Sequence, residues 1–343
     1  MSEQRIIGFA ANAEEVFQHM VIEEINRRKE DGIVAEYCKI GEVVVGRPSR
    51  YKVIIDRLSH FLAYYKEYLK TVSMQGTIVI NNPFRYVEDK FLSYSLAQRL
   101  GVAVPKTVAL PAKEWNAPYW GGEVTLDPGD LDNLKYPLDW EAIVEYIGFP
   151  AILKPCASGG WRDVYTVYNL KELMYYYEHT GYKVMMLQEY INPDHFVRCL
   201  VFGKKHVLPI RYDIETRSYL VDHKHLNPDM GERIVTDCIK LNTALDYDMN
   251  SVEFAIRDGI PYAIDFVNIV PDARPEHIHQ VYFNWMVDKL ATVAIEYARS
   301  DKTSTYWDHN IDTIRGYLHE ADTLDIPGKN HVIPAKWPST DRQ

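Results

Sequence analysis

Four separated segments of this chain carry residues that could do chemistry. In FPAILKPCASGGWRDVYTV, Lys154 closes an otherwise apolar run, a place where a charge is costly unless it meets an anion or a carboxylate. Just beyond, Ser158-Gly159-Gly160 can bring backbone N–H groups close to phosphate oxygens, because glycine has no Cβ. A plain β-turn explains the paired glycines as well, and the loop fits neither G-x-x-x-x-G-K-[ST] nor G-x-G-x-x-G. In SVEFAIRDGIPYAIDFVNIVPDA, Glu253 and Asp265 fall on the two strands of an expected hairpin, with Asn268 following. Two carboxylates and an amide oxygen are hard ligands that suit Mg²⁺ beside phosphates. A solvated acid cluster is the plainer alternative, but Asp265 sits between Ile264 and Phe266, and a half-buried carboxylate needs a partner.

The other two segments are weaker alone. VMMLQEYINPDHFVRCLVFG runs from an apolar strand through Gln188-Glu189-Tyr190-Ile191 to Arg198. An extended connector of this kind can offer backbone groups to a flat base, and a carboxylate beyond it can bind a ribose hydroxyl. Arg198, between Val197 and Cys199, either pairs with a structural carboxylate or is directed at phosphate. In VEDKF, Lys90 lies in the first turn of a helix, where a solvated lysine beside Asp89 is the plain reading.

The elements that must hold these residues read as α/β lobes. The first third alternates short β-branched runs (RIIGFAA, KVIIDR, GTIVINN) with helix-like segments AEEVFQHMVIEEINRRK and HFLAYYKEYLKTVSM, the rhythm of a small parallel α/β unit. A helix from near Glu88 stops at Gly101, and a strand follows at Lys106–Leu110. Residues 112–136, with Trp115, Pro118, Trp120, Gly121, Gly122, Pro128 and Gly129 and no periodicity, read as an excursion or a surface loop. Helix, strand, loop, strand, helix and strand then alternate from Trp140 to Ile191. FVRCLVFG and KKHVLPIRY form a hairpin turning at Gly203-Lys204, residues 231–246 are helical, and the acid-bearing hairpin turns at Asp258-Gly259. Ile278, Tyr282, Trp285, Met286, Leu290 and Val293 make an apolar helical stripe, read as core. The expected organisation is an N-terminal α/β domain at 1–85, a central lobe at 86–190, a C-terminal lobe at 191–300 and a tail at 301–343.

Composition narrows the classes. The chain has 343 residues and is 47% hydrophobic, with 38 basic against 48 acidic residues and a formal net charge of -10. That balance argues against nucleic acid or anionic lipid as the main partner, while leaving room for a local cationic site. No run approaches the ~20 apolar residues of a membrane helix, and the start MSEQRIIGFAANAEEVF lacks the layout of a signal peptide, so a cytoplasmic protein is expected. Cys38, Cys156, Cys199 and Cys238 are scattered and read as reduced, buried residues. The aromatic content of 13% could supply a homodimer interface, or simply core.

A strand lysine, a Gly-containing loop, a Gln-Glu connector, strand arginines and an acid, acid, Asn hairpin, in this order, resemble the ATP-grasp superfamily. The preceding IDRLSH…GTIVINNPFRYVEDKFLSYSLAQRLGVAVPKT resembles its N-terminal Rossmann-like α/β domain and lysine-bearing helix. The resemblance spans roughly residues 5–300 and is strongest to the carboxylate-amine ligases that include glutathione synthase and the ribosomal-protein glutamate ligases. It implies the ATP-grasp fold, and ATP between two lobes with Lys90 and Lys154 on the phosphates. The loop Ala157, Ser158, Gly159, Gly160, Trp161 would close over them, and the connector Gln188, Glu189, Tyr190, Ile191 would meet adenine through the backbone of Glu189 and Ile191, with Asp194 on the ribose. Arg198 and Arg211 would face the transferring phosphoryl group, and Glu253, Asp265 and Asn268 would hold Mg²⁺. The family usually separates its last acid and Asn by one residue; here two intervene, which requires a β-bulge or a changed metal geometry.

The implied reaction joins small-molecule or peptide carboxylate and amine substrates through an acylphosphate. A kinase using the same nucleotide site and a non-catalytic ATP sensor are the rivals. For the acceptor side, Arg217, His223, Lys224 and Arg274 are carboxylate-clamp candidates, His223/His225 and His277/His279 are same-face pairs, and Asn12 and Arg57 lie at expected strand ends.

Overall fold

The computed structural model describes residues 4–12, 16–85, 89–116, 125–126, 129, 131–157, 162–216, 218–222 and 224–301. Its N-terminal sheet is parallel and four-stranded, in the order β2-β1-β3-β4: β1 Arg5–Ala10, β2 Ile33–Tyr37, β3 Tyr51–Asp56 and β4 Ile78–Ile80. Helices α1 (Val16–Arg27) and α2 (Ala63–Met74) alternate with these strands. β1, β3 and β4 coincide with the three apolar runs of the sequence. β2 lay outside those runs: it begins on the short apolar stretch Ile33-Val34-Ala35, but as an edge strand it has only Ile33 and Ala35 buried and carries Glu36 outward.

The central sheet is antiparallel, β5-β10-β8-β9, made of β5 (Thr107–Leu110), β8 (Ala151–Pro155), β9 (Tyr165–Val167) and β10 (Met185–Glu189). Helices α4 (Trp140–Ile147) and α5 (Leu170–Tyr177) cover it, capped by the side chains of Asp139 and Asn169. Between β5 and α4, two short strands, β6 (Trp115–Asn116) and β7 (Thr125–Leu126), pair with each other inside the stretch that has no sequence periodicity.

The third sheet is antiparallel and five-stranded, β13-β12-β11-β14-β15, from β11 (His195–Phe202), β12 (His206–Asp213), β13 (Ser218–Leu220), β14 (Met249–Arg257) and β15 (Ile260–Asn268). Its two faces are buried against different partners. Val197, Cys199, Val201, Phe254 and Phe266 pack with α6 (Pro228–Leu245) and with Tyr94 and Ala97 of α3 (Lys90–Arg99). Leu200, Phe202, Ile210 and Met249 pack on the other side with α7 (Gln280–Arg299) and with core residues of the N-terminal sheet. The apolar stripe read from the sequence is therefore the seam between two lobes: Tyr282, Met286, Leu290 and Val293 are buried in it, and Phe283 meets Phe17 of α1 edge-on at 5.8 Å. α3 follows the N-terminal sheet in the chain but packs with the third. All four cysteines are free thiols, three of them buried.

Candidate active site

β14 and β15 turn at Asp258-Gly259, both at positive φ (51° and 72°), the backbone a two-residue hairpin loop demands. From there the register brings Glu253 opposite Asp265 and Ser251 opposite Asn268. Two residues of β14 thus face three of β15, so β15 bulges between Asp265 and Asn268. A second irregularity lies between Asp265 and Ala263, where Phe254 is the next partner. The first bulge answers the spacing problem. Side chains alternate along a strand, so a three-residue step would put Asn268 on the opposite face from Asp265; the extra residue returns it to the face shared by Glu253 and Asp265. Asn250, fully buried, secures the bulge: its Oδ1 accepts the Asn268 N–H (2.9 Å) and its Nδ2 donates to the Phe266 carbonyl (2.8 Å) and to Asn242 Oδ1 (2.9 Å).

Both predicted phosphate lysines reach this hairpin. Asp89 caps α3 by accepting the N–H groups of Phe91 and Leu92, which sets Lys90 in the first turn, and its Nζ lies 3.0 Å from Asp265 Oδ2. The Lys90 N–H donates to the Cys156 carbonyl (2.9 Å), tying α3 to the loop after β8. Lys154, on β8, donates to Gln188 Oε1 (2.9 Å) and Tyr94 Oη (3.0 Å), and Tyr94 in turn donates to the Ile264 carbonyl beside Asp265. Asp265 Oδ1 is buried and makes no hydrogen bond among the described residues. Burial opposes ionisation of Asp265, but Lys90 and Lys154, with the nearby Val267 N–H, outweigh it and hold the pKa below the usual aspartate value. Burial pulls Lys154 down, against the pull of Asp265 and Glu253. Burial and the charge of Asp265 raise Glu253, although Arg198 opposes them.

Arg198 does pair with a carboxylate: Nη2 lies 2.5 Å from Glu253 Oε1, and Nη1 donates to Tyr219 Oη (3.2 Å). Its guanidinium stacks on Tyr212, 4.2 Å from the ring centroid, and its buried Nε has no hydrogen-bond partner among the described residues. Arg211 does not join it. The hairpin between β11 and β12 turns through Gly203–Lys205, pairing Phe202 with His206, which sets Arg198 opposite Ile210 and Arg211 opposite Val197. Arg211 is thereby on the other face of the sheet, half-exposed and paired with Asp222 (3.1 Å).

Along the connector, Gln188 is buried and donates Nε2 to Thr107 Oγ1 (2.9 Å). Glu189 gives its carboxylate to Arg257 (2.9 Å) and its N–H to the Lys106 carbonyl (2.9 Å). The Tyr190 N–H meets the Pro150 carbonyl (3.4 Å), and Ile191 is buried with an N–H that makes no hydrogen bond among the described residues. Asp194 is turned to structural use, one oxygen accepting the Asp258 N–H (3.0 Å) at the hairpin tip. Ala157 is exposed at the end of β8, and Ser158, Gly159, Gly160 and Trp161 lie outside the described residues, as do Arg217 and His223.

The remaining acceptor candidates separate. Arg274 binds Asp272 through both Nε (2.9 Å) and Nη2 (2.7 Å), and His277 Nδ1 sits 2.7 Å from the same carboxylate. His225 Nδ1 contacts the Asp222 carbonyl (2.5 Å), Lys224 lies in the turn that Asp222 closes, and His279 caps α7. Among the described residues no group of three or more His, Cys, Asp or Glu side chains converges as for a metal; Glu253 and Asp265 are a carboxylate pair, and the register adds Asn268 as a third oxygen-bearing side chain on their face. The Asp265 Oδ1 orphaned there fits a divalent cation. Arg57 is buried at the end of β3, stacked on Phe17 at 5.2 Å and donating to the Pro271 carbonyl (3.1 Å), so it links the N-terminal sheet to the loop after β15. Asn12, at the end of β1, accepts Gln18 Nε2 through its carbonyl (3.5 Å). Sequence reading missed Tyr94, Tyr212, Tyr219 and Asn250; an aromatic four residues after Lys90 on a helix is the only signal that could have drawn attention to Tyr94.

No family model matches the chain, and no curated protein matches it by sequence. Solved structures do match in fold. The D-alanine–D-alanine ligase from Bacillus anthracis complexed with ATP superposes with a TM-score of 0.56 at 17% identity, covering 86% of this chain and 96% of its own. A RimK domain ATP-grasp protein from Sphaerobacter thermophilus gives 0.58 at 16% identity over 86% and 100%. The ATP-grasp ligase PsnB, complexed with a minimal precursor, Mg and ADP, gives 0.55 at 13% identity over 84% and 98%. The chain has the ATP-grasp fold. No helix among the described residues is long and apolar enough to cross a membrane.

Proposed function

We propose that this chain is an ATP- and Mg²⁺-dependent ligase that joins a carboxylate to an amine through an acylphosphate, releasing ADP and phosphate. The observation that carries the reading is the meeting of Lys90, Lys154 and Arg198 with Glu253 and Asp265, where one buried carboxylate oxygen is left unpaired. Three cations around two acids, all largely buried, suit a polyphosphate with its metal better than they suit a self-contained ion-pair network.

In this reading Lys90 and Lys154 bind the phosphates and residues 157–161 cover them. Adenine lies against the connector, with the Ile191 N–H as its donor; Asp194 meets the ribose, if at all, through its second oxygen. Arg198, held flat on Tyr212 and fixed by Glu253, faces the phosphoryl group in flight, while Arg211 acts elsewhere. Mg²⁺, held by Glu253, Asp265 and Asn268, would neutralise charge spread over the phosphoryl oxygens. The substrate carboxylate attacks the γ-phosphate, and the amine then displaces phosphate from the activated acyl carbon. No side-chain nucleophile is needed: the residues position the reactants and offset their charge. The similar folds include a ligase of two amino acids and one complexed with a precursor, which supports small-molecule or peptide substrates.

The test is incubation with Mg²⁺-ATP and a pool of amino acids, short peptides and hydroxy acids, following ADP, phosphate and every new mass. A product equal to two substrates minus water, with one phosphate per ADP, is expected. A phosphorylated product without free phosphate would make the protein a kinase, and nucleotide binding with no turnover across the pool would favour a sensor.

A further inference from the structure

We propose that Tyr94 is a positioning residue of this site: its hydroxyl ties Lys154 of the central sheet to the backbone of β15 and leaves one ammonium N–H aimed at the nucleotide phosphate. The inference deepens the function proposed above and rests on Lys154 meeting that phosphate.

The case is one of hydrogen-bond polarity. Thr107 Oγ1 donates to the Pro105 carbonyl (3.0 Å), so it accepts from Gln188 Nε2 and thereby turns Gln188 Oε1 toward Lys154. At the other end, Tyr94 has a single hydroxyl proton and spends it on the Ile264 carbonyl. Toward Lys154 the phenol oxygen can only accept. Both neighbours of Lys154 Nζ are therefore obligate acceptors and hold two of its N–H groups, while the charges of Asp265 and Glu253 favour the ammonium form against the pull of burial. An ammonium has three N–H groups; two are taken, and the third has no partner among the described residues.

Geometry adds a second role. Lys154 and Gln188 belong to the central sheet, whereas Tyr94 sits on α3, packed with the third sheet, its ring edge-on to Phe266 at 5.4 Å. The Tyr94 to Lys154 bond thus joins the two sheets between which the nucleotide is proposed to lie, within one residue of Asp265. A purely structural alternative is that Tyr94 only satisfies the Ile264 carbonyl released by the β15 irregularity.

A double-mutant cycle on the full chain separates the two. Calorimetric affinities for β,γ-imido-ATP with Mg²⁺, and for AMP, are measured for wild type, Tyr94→Phe, Lys154→Ala and the double variant. The proposal expects Tyr94→Phe to weaken the ATP analogue about tenfold with AMP unchanged, and to add nothing further once Lys154 is alanine. AMP binding, which draws on the connector and not on the lysines, doubles as the check that the variant is folded. Wild-type affinity in Tyr94→Phe, an equal loss for AMP, or a full additional loss in the Lys154→Ala background would each overturn it. If wild type itself shows no preference for the analogue over AMP and Lys154→Ala changes nothing, the nucleotide reading falls, and this inference with it.

Discussion

Burial pulls the pKa of Lys154 down, and that has a pH signature. Its folded pKa lies below the ordinary lysine value of 10.5, so between the two values the unfolded chain holds more protons than the folded one. The contribution of this residue to stability must rise as pH climbs through that window. The urea midpoint of wild type should therefore gain on that of Lys154→Met as pH rises toward the ordinary lysine value; a pH-independent gap would mean that burial does not lower the lysine's pKa. Lys154→Ala should abolish ATP turnover while the fold stays cooperative, and retained activity would remove its assigned role. Among the acids, Asp265→Asn should cost about 10²–10³ in turnover and Glu253→Gln less, because Asp265 carries Lys90 and also the unpaired oxygen, whereas Glu253 spends one oxygen on Arg198. Equal activity of Asp265→Asn and wild type in Mg²⁺-dependent assays would refute the metal role. These residues are legible in sequence because a charge inside an apolar strand has few explanations. Tyr94 is not, since an aromatic on a buried helix face reads as core until its hydroxyl partner is seen.

At the scale of elements, two hairpins of the third sheet show how one residue decides a site. In β15 the additional residue returns Asn268 to the acidic face, so the departure from the usual acid-to-Asn spacing is absorbed by a bulge and gives no support to a non-catalytic protein. The bulge depends on Asn250. Asn250→Ala leaves the Asn268 N–H, the Phe266 carbonyl and Asn242 Oδ1 without their buried partner, and should destabilise the chain by about 2–4 kcal/mol. It should also raise the Mg²⁺ concentration needed for half-maximal turnover; an unchanged urea midpoint would show that the bulge holds itself. In the other hairpin the same parity rule works against the sequence reading. A two-residue turn at Gly203-Lys204 would have put Arg211 on the face of Arg198, but the observed three-residue turn flips it. Strand identity was readable from the apolar runs, register was not, because loop length is settled by packing: Gly203 at φ 60° lies against Val293 of α7 with no room for a Cβ. Edge strand β2 escaped notice for a related reason, having only one neighbour and half a buried face.

Over the whole molecule, the site depends on joints between sheets that are distant in sequence. Asn81, at the end of β4, is almost fully buried and makes four bonds to the hairpin lobe: it accepts the N–H groups of Asp248 and Met249 (2.7 Å each) and donates to the carbonyls of Met249 (2.7 Å) and Ile269 (3.1 Å). Together with Arg57 on Pro271 and the α7 seam, it fastens the N-terminal sheet to both ends of the β14–β15 unit. Asn81→Ala should split a single thermal transition into two, the N-terminal sheet melting first; one unshifted cooperative transition by calorimetry would contradict this. Mixed α/β content was legible from the alternation of apolar runs and helical stripes, but the seam was not, because periodicity reports that α7 is buried without naming what buries it.

The central claim is that a carboxylate oxygen takes the phosphoryl group before an amine replaces it, and an isotope test addresses it directly. The full chain is supplied with Mg²⁺-ATP and a pool of amino acids and short peptides whose carboxylates carry ¹⁸O, and the released phosphate is analysed by mass spectrometry. Transfer of one ¹⁸O into each phosphate, matched by a condensed product, is the predicted result. Phosphate free of ¹⁸O, or a stable phosphorylated product in its place, would contradict the ligase account.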